Sequence, residues 1–217
     1  MRNLIYKELR LATPLLTFLF LGFSLMTFIP GYPVLCGAFF ICLGMFQGYQ
    51  YSREAGDLDY SVLLPVKKTD IVRAKFAGAV IIELTAFALM AVFTLIRMIF
   101  MAEAGVYVQN ALMSANLVFL GFVLLIFALF NCIFIGGFFK TAYGIGKSFV
   151  FFIVVCFVVI IIAEAMHHMP GMAWINTLDF GHAGGQTAVL AAGVFAYACI
   201  TAASCSIAQK RFGELDL

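Results

Sequence analysis

The chain has 217 residues, of which 64% are hydrophobic and 11% charged, with a formal net charge of +2. Average soluble domains run at roughly 45–50% apolar and about 25% charged residues, so the composition excludes a soluble globular class and defines an integral membrane protein. A balance so near neutral gives no support for nucleic acid as a partner; the informative quantity is where the positive charges fall.

Five or six crossings of about 20 residues would use half the chain or more. No Pro/Gly/Ser-rich linker or low-complexity tract marks a boundary, so residues 1–217 are expected to form a single all-α transmembrane domain. At the start, Met1, Leu4, Ile5 and Leu9 fall at helical spacing with Arg2, Asn3, Lys7 and Arg10 opposite. Glu8 interrupts the apolar stripe. This pattern predicts an interfacial helix over 1–10, basic side towards anionic headgroups. A first span is expected over 11–29. Its apolar run exceeds a signal-peptide core and no small-residue cleavage site follows, so it is retained. Pro30 to Pro33 form a turn and a second span covers 34–50, in which Gly44 and Gly48 permit close approach of a neighbouring helix.

The stretch from Arg53 to Asp70 is the one long polar passage, carrying mixed charge between runs long enough to cross a bilayer. Residues Glu54 to Leu64 are predicted to form a short helix bounded by Pro65, because proline removes a backbone donor and disfavours helix at the preceding residue. Glu54, Asp57 and Asp59 beside Leu58, Tyr60, Leu63 and Leu64 give an aromatic anchor with a charged rim, the anatomy of a docking site. A third span follows over 71–101, a fourth over 112–135, a fifth over 149–165 and a sixth over 187–208. In this layout twelve of the thirteen basic residues lie on one side and Arg97 alone on the other. The positive-inside rule then places both termini in the cytosol, with Tyr32, Tyr107 and Trp174 in the outer aromatic belt.

Other motifs carry less. The six cysteines include no C-x-x-C pair and read as small apolar fillers. Residues Thr141 to Ser148 approach the pattern G-x-x-x-x-G-K-[ST] but lack its first glycine and the strand that must precede it. His167, His168 and His182, with Glu164 and Asp179, are zinc-compatible, yet adjacent histidines on a helix point apart and ordinary loop residues fit as well. At membrane depth the ionisable group is Glu83, with Gln47 and Asn131 at similar depth. A carboxylate there is a functional candidate lining a translocation cavity or seam, or else part of a buried polar cluster that locks helices together. Arg97 and Glu164, at matching depth on the outer side, are candidates to pair. The 25 phenylalanines suggest an apolar, adaptable cavity.

A mixed-charge helix after the second span, then Leu-Leu-Pro-Val-Lys-Lys-Thr-Asp-Ile-Val-Arg-Ala-Lys leading into the third, resembles the ABC-2 type permeases of ATP-binding-cassette exporters. The Asn-Leu-Ile-Tyr-Lys-Glu-Leu run before span one is similar to the interfacial helix of the same group. Among its members, the compact permeases that export phenol-soluble-modulin-like peptides look nearest. The resemblance implies a coupling helix between spans two and three that seats in an ATPase subunit. It implies two such subunits, which hold ATP and magnesium, a second permease, identical or related, and no cofactor on this chain. It also implies a bacterial plasma membrane location and an outer re-entrant segment at Met169 to Gln186. The competing expectation is a small membrane-embedded enzyme or an immunity protein that acts without an ATPase.

Overall fold

Pro14 sets the geometry of the amino-terminal part. The computed structural model describes residues 1–141, 144–178 and 180–215, and among them every regular element is a helix. Helix α1 (Arg2–Lys7) runs on through a π-helical turn over Glu8–Ala12 and stops at Thr13, which is extended, as a residue before proline prefers to be. The chain restarts as α2 (Leu15–Leu19) and continues as a 3-10 helix over Phe20–Phe28. The two arms meet at 88°.

A straight span over 11–29 is therefore not formed: Leu11 and Ala12 belong to the transverse first arm, which is two residues longer than the interfacial helix expected over 1–10. A 3-10 helix rises about 2.0 Å per residue against about 1.5 Å for an α-helix, so Leu15–Phe28 still reaches roughly 26 Å, near the ~30 Å of a hydrocarbon core.

Helix α3 (Cys36–Glu54) lies against this arm. A Cβ on Gly44 would stand 2.5 Å from the Phe20 Cβ, and one on Gly48 would stand 3.3 Å from the Thr17 hydroxyl. Thr17 donates a 2.8 Å hydrogen bond to the Gly44 carbonyl. The glycine pair thus serves a contact inside the chain. Gly56 takes a left-handed conformation (φ 62°) that ends the helix and turns the backbone into α4 (Asp57–Leu63). Leu64 is extended before Pro65, as the sequence requires. The short helix is thus three residues shorter at its start than expected, because Glu54 still belongs to α3.

Helix α5 (Lys68–Phe100) has 33 residues and at about 1.5 Å per residue is roughly 50 Å long, so it overreaches a hydrocarbon core. After α6 (Gly105–Val108), Asn116 caps α7 (Leu117–Leu129) by accepting from the backbone N–H groups of Val118 and Phe119. That cap moves the start of the fourth apolar helix from 112 to 117. The helix continues through a π turn over Phe130–Ile135 into α8 (Gly136–Thr141). Helix α9 (Ile145–Met166) and α10 (Ala183–Gly213) complete the bundle, joined through short 3-10 turns at Ala173–Asn176 and Phe180–His182. Gly146, Lys147 and Ser148 of the phosphate-loop-like run lie in the first turn of α9, while Ala142 and Tyr143 fall outside the described residues.

Among the described residues four helices are long and apolar enough to cross a membrane: Lys68–Phe100, Leu117–Lys140, Ile145–Met166 and Phe180–Gly213. The bent pair would be a fifth if counted as one span. Helix α3 falls short of that measure because its last turns carry Gln47, Gln50, Arg53 and Glu54. The α7–α8 helix is the central one, buried over most of its apolar length, and α10 packs along it. Their axes meet at Gly121 and Gly193, where a Cβ on Gly193 would stand 2.6 Å from the Gly121 carbonyl oxygen. Around this axis Phe130, Phe134, Phe138, Phe139 and Phe152 are fully buried, and Phe46 stacks on Phe149 with ring centroids 3.8 Å apart. Many of the phenylalanines are thus spent on packing within the chain rather than on lining a cavity.

Candidate functional site

The polar passage is tied to the bundle by a buried group of charges. Helix α1 and its π turn supply Lys7 and Glu8, α3 supplies Ser52, α4 supplies Asp57 and Ser61, and α5 supplies Lys75. The Lys75 ammonium sits 2.9 Å from Glu8 Oε2 and 2.9 Å from Asp57 Oδ2, and donates to Ser52 Oγ at 3.2 Å. Lys7 bridges from above, 2.6 Å from Asp57 Oδ1 and 3.1 Å from Glu8 Oε1, and donates to Ser61 Oγ. Two cations and two carboxylates balance, and each ammonium has at least three oxygen partners, as buried charge demands. Burial pushes the Asp57 carboxyl up, but Lys75 and Lys7 outweigh it and hold the group below the usual carboxylate range. Beneath the cluster a cavity of about 40 Å³, lined by Glu8, Thr17, Tyr49, Ser52 and Lys75 among others, is large enough for water.

This geometry divides the seven expected docking residues. Asp57 and Leu58 face inward: Asp57 makes the ion pairs just described, and Leu58 is buried in the core. Neither forms part of an exposed rim or anchor. Glu54, Asp59, Tyr60 and Leu63 are exposed, Tyr60 at 61% and Leu63 at 84%, whereas Leu64 is half-buried. The members that sequence reasoning missed are the charged Lys7, Glu8 and Lys75 and the hydroxyls of Ser52 and Ser61. Glu8, an acid in the middle of an apolar stripe, was the available signal.

Within the bundle, Glu83 on α5 is fully buried. Its Oε2 accepts a 2.9 Å hydrogen bond from the Asn131 side-chain amide and a 2.6 Å bond from the Tyr197 hydroxyl. Asn131 also donates to Thr201 Oγ1 at 3.1 Å. Glu83 and Asn131 are thus brought together. Gln47, half-buried on α3, is not bonded to them, so the expected trio becomes a different one in which α10 supplies Tyr197. In this arrangement Glu83 faces the chain's own core.

At the opposite end Arg97 does not pair with Glu164. The Arg97 guanidinium donates to the Thr27 carbonyl at 2.7 Å and lies 4.0 Å from the centre of the Tyr107 ring. Glu164 accepts instead from the backbone N–H of Met113 at 2.7 Å. The His167 and His168 rings lie with centroids 4.0 Å apart, tilted by 38°, so these adjacent histidines do not diverge. Among the described residues no three of His, Cys, Asp and Glu come together as a metal site, and Asp179 lies outside them. The 169–186 segment folds back on the loop before α7, where Asn116 donates to the Ile175 and Thr177 carbonyls and Gln186 to those of Trp174 and Thr177.

A family model described as ABC-2 family transporter protein matches residues 3–212. No curated protein and no solved structure matches the chain. The match runs from α1 into the last turn of α10 and takes in both the charge cluster and the Glu83 pair; the chain belongs to the ABC-2 family of transporter proteins.

Proposed function

We propose that this chain is the permease subunit of an ATP-driven exporter in a bacterial plasma membrane, with α4 as the coupling helix. Separate ATPase subunits, two per transporter, bind ATP with magnesium and dock on the exposed face of α4. A second permease, identical or related, completes the pathway. The cargo is amphipathic or hydrophobic, a peptide of the phenol-soluble-modulin kind. Supporting that class, an apolar groove of about 430 Å³ at the end opposite the charge cluster is lined by Leu112, Phe157, Ile160 and Ile161, with Glu164 and His168 as its polar edge.

One observation carries the coupling role. Helix α4 has an inner face pinned by Asp57 to α1 and α5, and an outer face that presents Tyr60 and Leu63. A helix so held cannot tilt alone: a push on Tyr60 passes through Asp57 and Lys75 into the start of α5 as a rigid-body displacement. The test is Tyr60→Ala with Leu63→Ala, which removes exposed side chains and leaves the cluster intact. The double variant should insert and fold normally, lose co-purification of the ATPase subunits, and lose cargo-stimulated ATP turnover. Unchanged association and export would overturn the proposal.

A further inference from the structure

A carboxyl buried in a membrane protein must be paired with a cation, wetted, or neutral, and the surroundings of Glu83 decide among these. The side chain is fully buried, and among the described residues no cation forms an ion pair with it. The nearest lysine along its own helix, Lys75, is two turns away and committed to Glu8 and Asp57. Asn131 from the π turn after α7 and Tyr197 from α10 bond Glu83 directly, Thr201 of α10 bonds Asn131, and Cys42 and Tyr49 of α3 lie within electrostatic range; none of these carries positive charge.

The hydrogen bonding is lopsided. Glu83 Oε2 takes both donors, while Glu83 Oε1 and Asn131 Oδ1 have no donor at all, and both are buried acceptors. The two orphans belong to side chains already joined by the Asn131 Nδ2–Oε2 bond. A carboxylic acid and a primary amide satisfy each other completely through two bonds, N–H to C=O and O–H to C=O. One proton on Oε1 supplies the single donor that both orphans lack. Turning the Asn131 amide over does not avoid the need, because its oxygen would then face Glu83 Oε2 and still require a proton between them.

We infer that Glu83 is a proton-binding site: the chain holds Glu83 as a neutral acid paired with Asn131 and Tyr197, and releases that proton when α5 parts from α7 and α10. The step is a simple transfer, in which the O–H bond at Oε1 breaks and water takes the proton as the carboxylate becomes hydrated. Joining the three helices therefore takes up one proton, so lowering the pH favours the joined arrangement and raising it favours separation. The π turn that carries Asn131 fits this role, since such wide turns interrupt the regular hydrogen-bond ladder and frequently fall at functional sites. Release on helix separation rests on the permease proposal; the protonation itself does not.

The first experiment separates the two. The purified chain in lipid nanodiscs, with 13C-carboxyl-labelled glutamate, is titrated from neutral to alkaline pH by infrared difference spectroscopy. A protonated-acid carbonyl band should be present at neutral pH and missing in Glu83→Gln. An ionised Glu83 at neutral pH, with or without added sodium, would overturn the inference whatever the protein transports. Glu83→Gln is suited to the comparison because an amide can reproduce both bonds to Asn131 and should keep the fold. The second experiment measures cargo-stimulated ATP turnover of the complete transporter across the same pH range. Wild type should change rate severalfold as Glu83 titrates, and Glu83→Gln should give a flat profile over that range. A band that is present together with identical pH profiles would keep the proton site and overturn its release during the cycle.

Discussion

Lys75 is the residue whose loss the charge cluster tolerates least. Its side chain is 3% exposed and it lies between two carboxylates. Lys75→Met preserves length and apolar stem but leaves Glu8 and Asp57 with Lys7 alone, so one buried negative charge is uncompensated. Removing one member of a buried pair costs about 3–5 kcal/mol; a loss at the lower end of that range is expected in thermal unfolding of the purified chain. Glu8→Gln combined with Lys75→Met removes the imbalance and should recover part of it. A double variant as unstable as the single one would show that Lys75 acts through packing rather than charge.

Asp57 supplies the pH dependence of the same cluster. Because its carboxyl is held below the ordinary range in the folded chain, the stabilisation is complete above the unfolded value of about 3.9 and is lost only as the pH falls through the lower folded value. A nitroxide placed at position 60 should keep the same mobility from about pH 8 down to about pH 5 and loosen only in stronger acid. Loosening between neutrality and about pH 5 would mean that Asp57 is not the group holding α4.

At the scale of elements, the contact between α7 and α10 depends on what is missing at Gly121 and Gly193. A methyl group on Gly193 would meet backbone atoms of Gly121 at 2.6 to 3.0 Å, which side-chain rotation cannot relieve. Gly193→Ala should force the helices apart at a cost of about 1–3 kcal/mol, as overpacking generally does. It should also weaken the nearby Tyr197–Glu83 bond one turn along α10. Gly213→Ala, where a Cβ meets nothing within 4 Å, is the control. Thermal midpoints that fail to separate the two variants would contradict the close approach.

Much of this level was legible in sequence. Pro65 and the polar passage located α4, and apolar runs located the later helices to within a few residues. The break at Pro14 was not foreseen, because the hydropathy of residues 11–29 is continuous and only the backbone restriction on Thr13 separates the arms. The identity of cluster partners was hidden for a different reason: Tyr197 sits in an Ala-rich run with ordinary membrane composition, and nothing local marks it as facing Glu83, 114 positions away.

For the whole molecule, the arrangement of crossings turns on α1–α2 and α3. By length and apolarity alone, four helices among the described residues could cross a membrane, or five with the bent pair. The structure nevertheless gathers the basic residues at one end. Lys7 and Lys75 share the cluster with α4, Lys68 donates to the Leu215 carbonyl at 2.6 Å, and Arg211 to that of Gly136 at 3.4 Å. Arg97 sits at the other end with Thr27 and Tyr107. For α1 and the α4 cluster to share an end while Phe28 lies beside Tyr107, both Leu15–Phe28 and α3 must traverse the bundle. We propose that, with the four long helices, this makes six crossings and puts both ends of the chain on the basic, cytosolic side. Single cysteines at positions 3 and 214, in a background lacking the native thiols, should react with an impermeant maleimide only after the cells are opened, whereas a cysteine at 109 should react in intact cells. Labelling of position 3 but not 214 in intact cells would make the number of crossings odd and would take α3 or the bent arm out of the membrane.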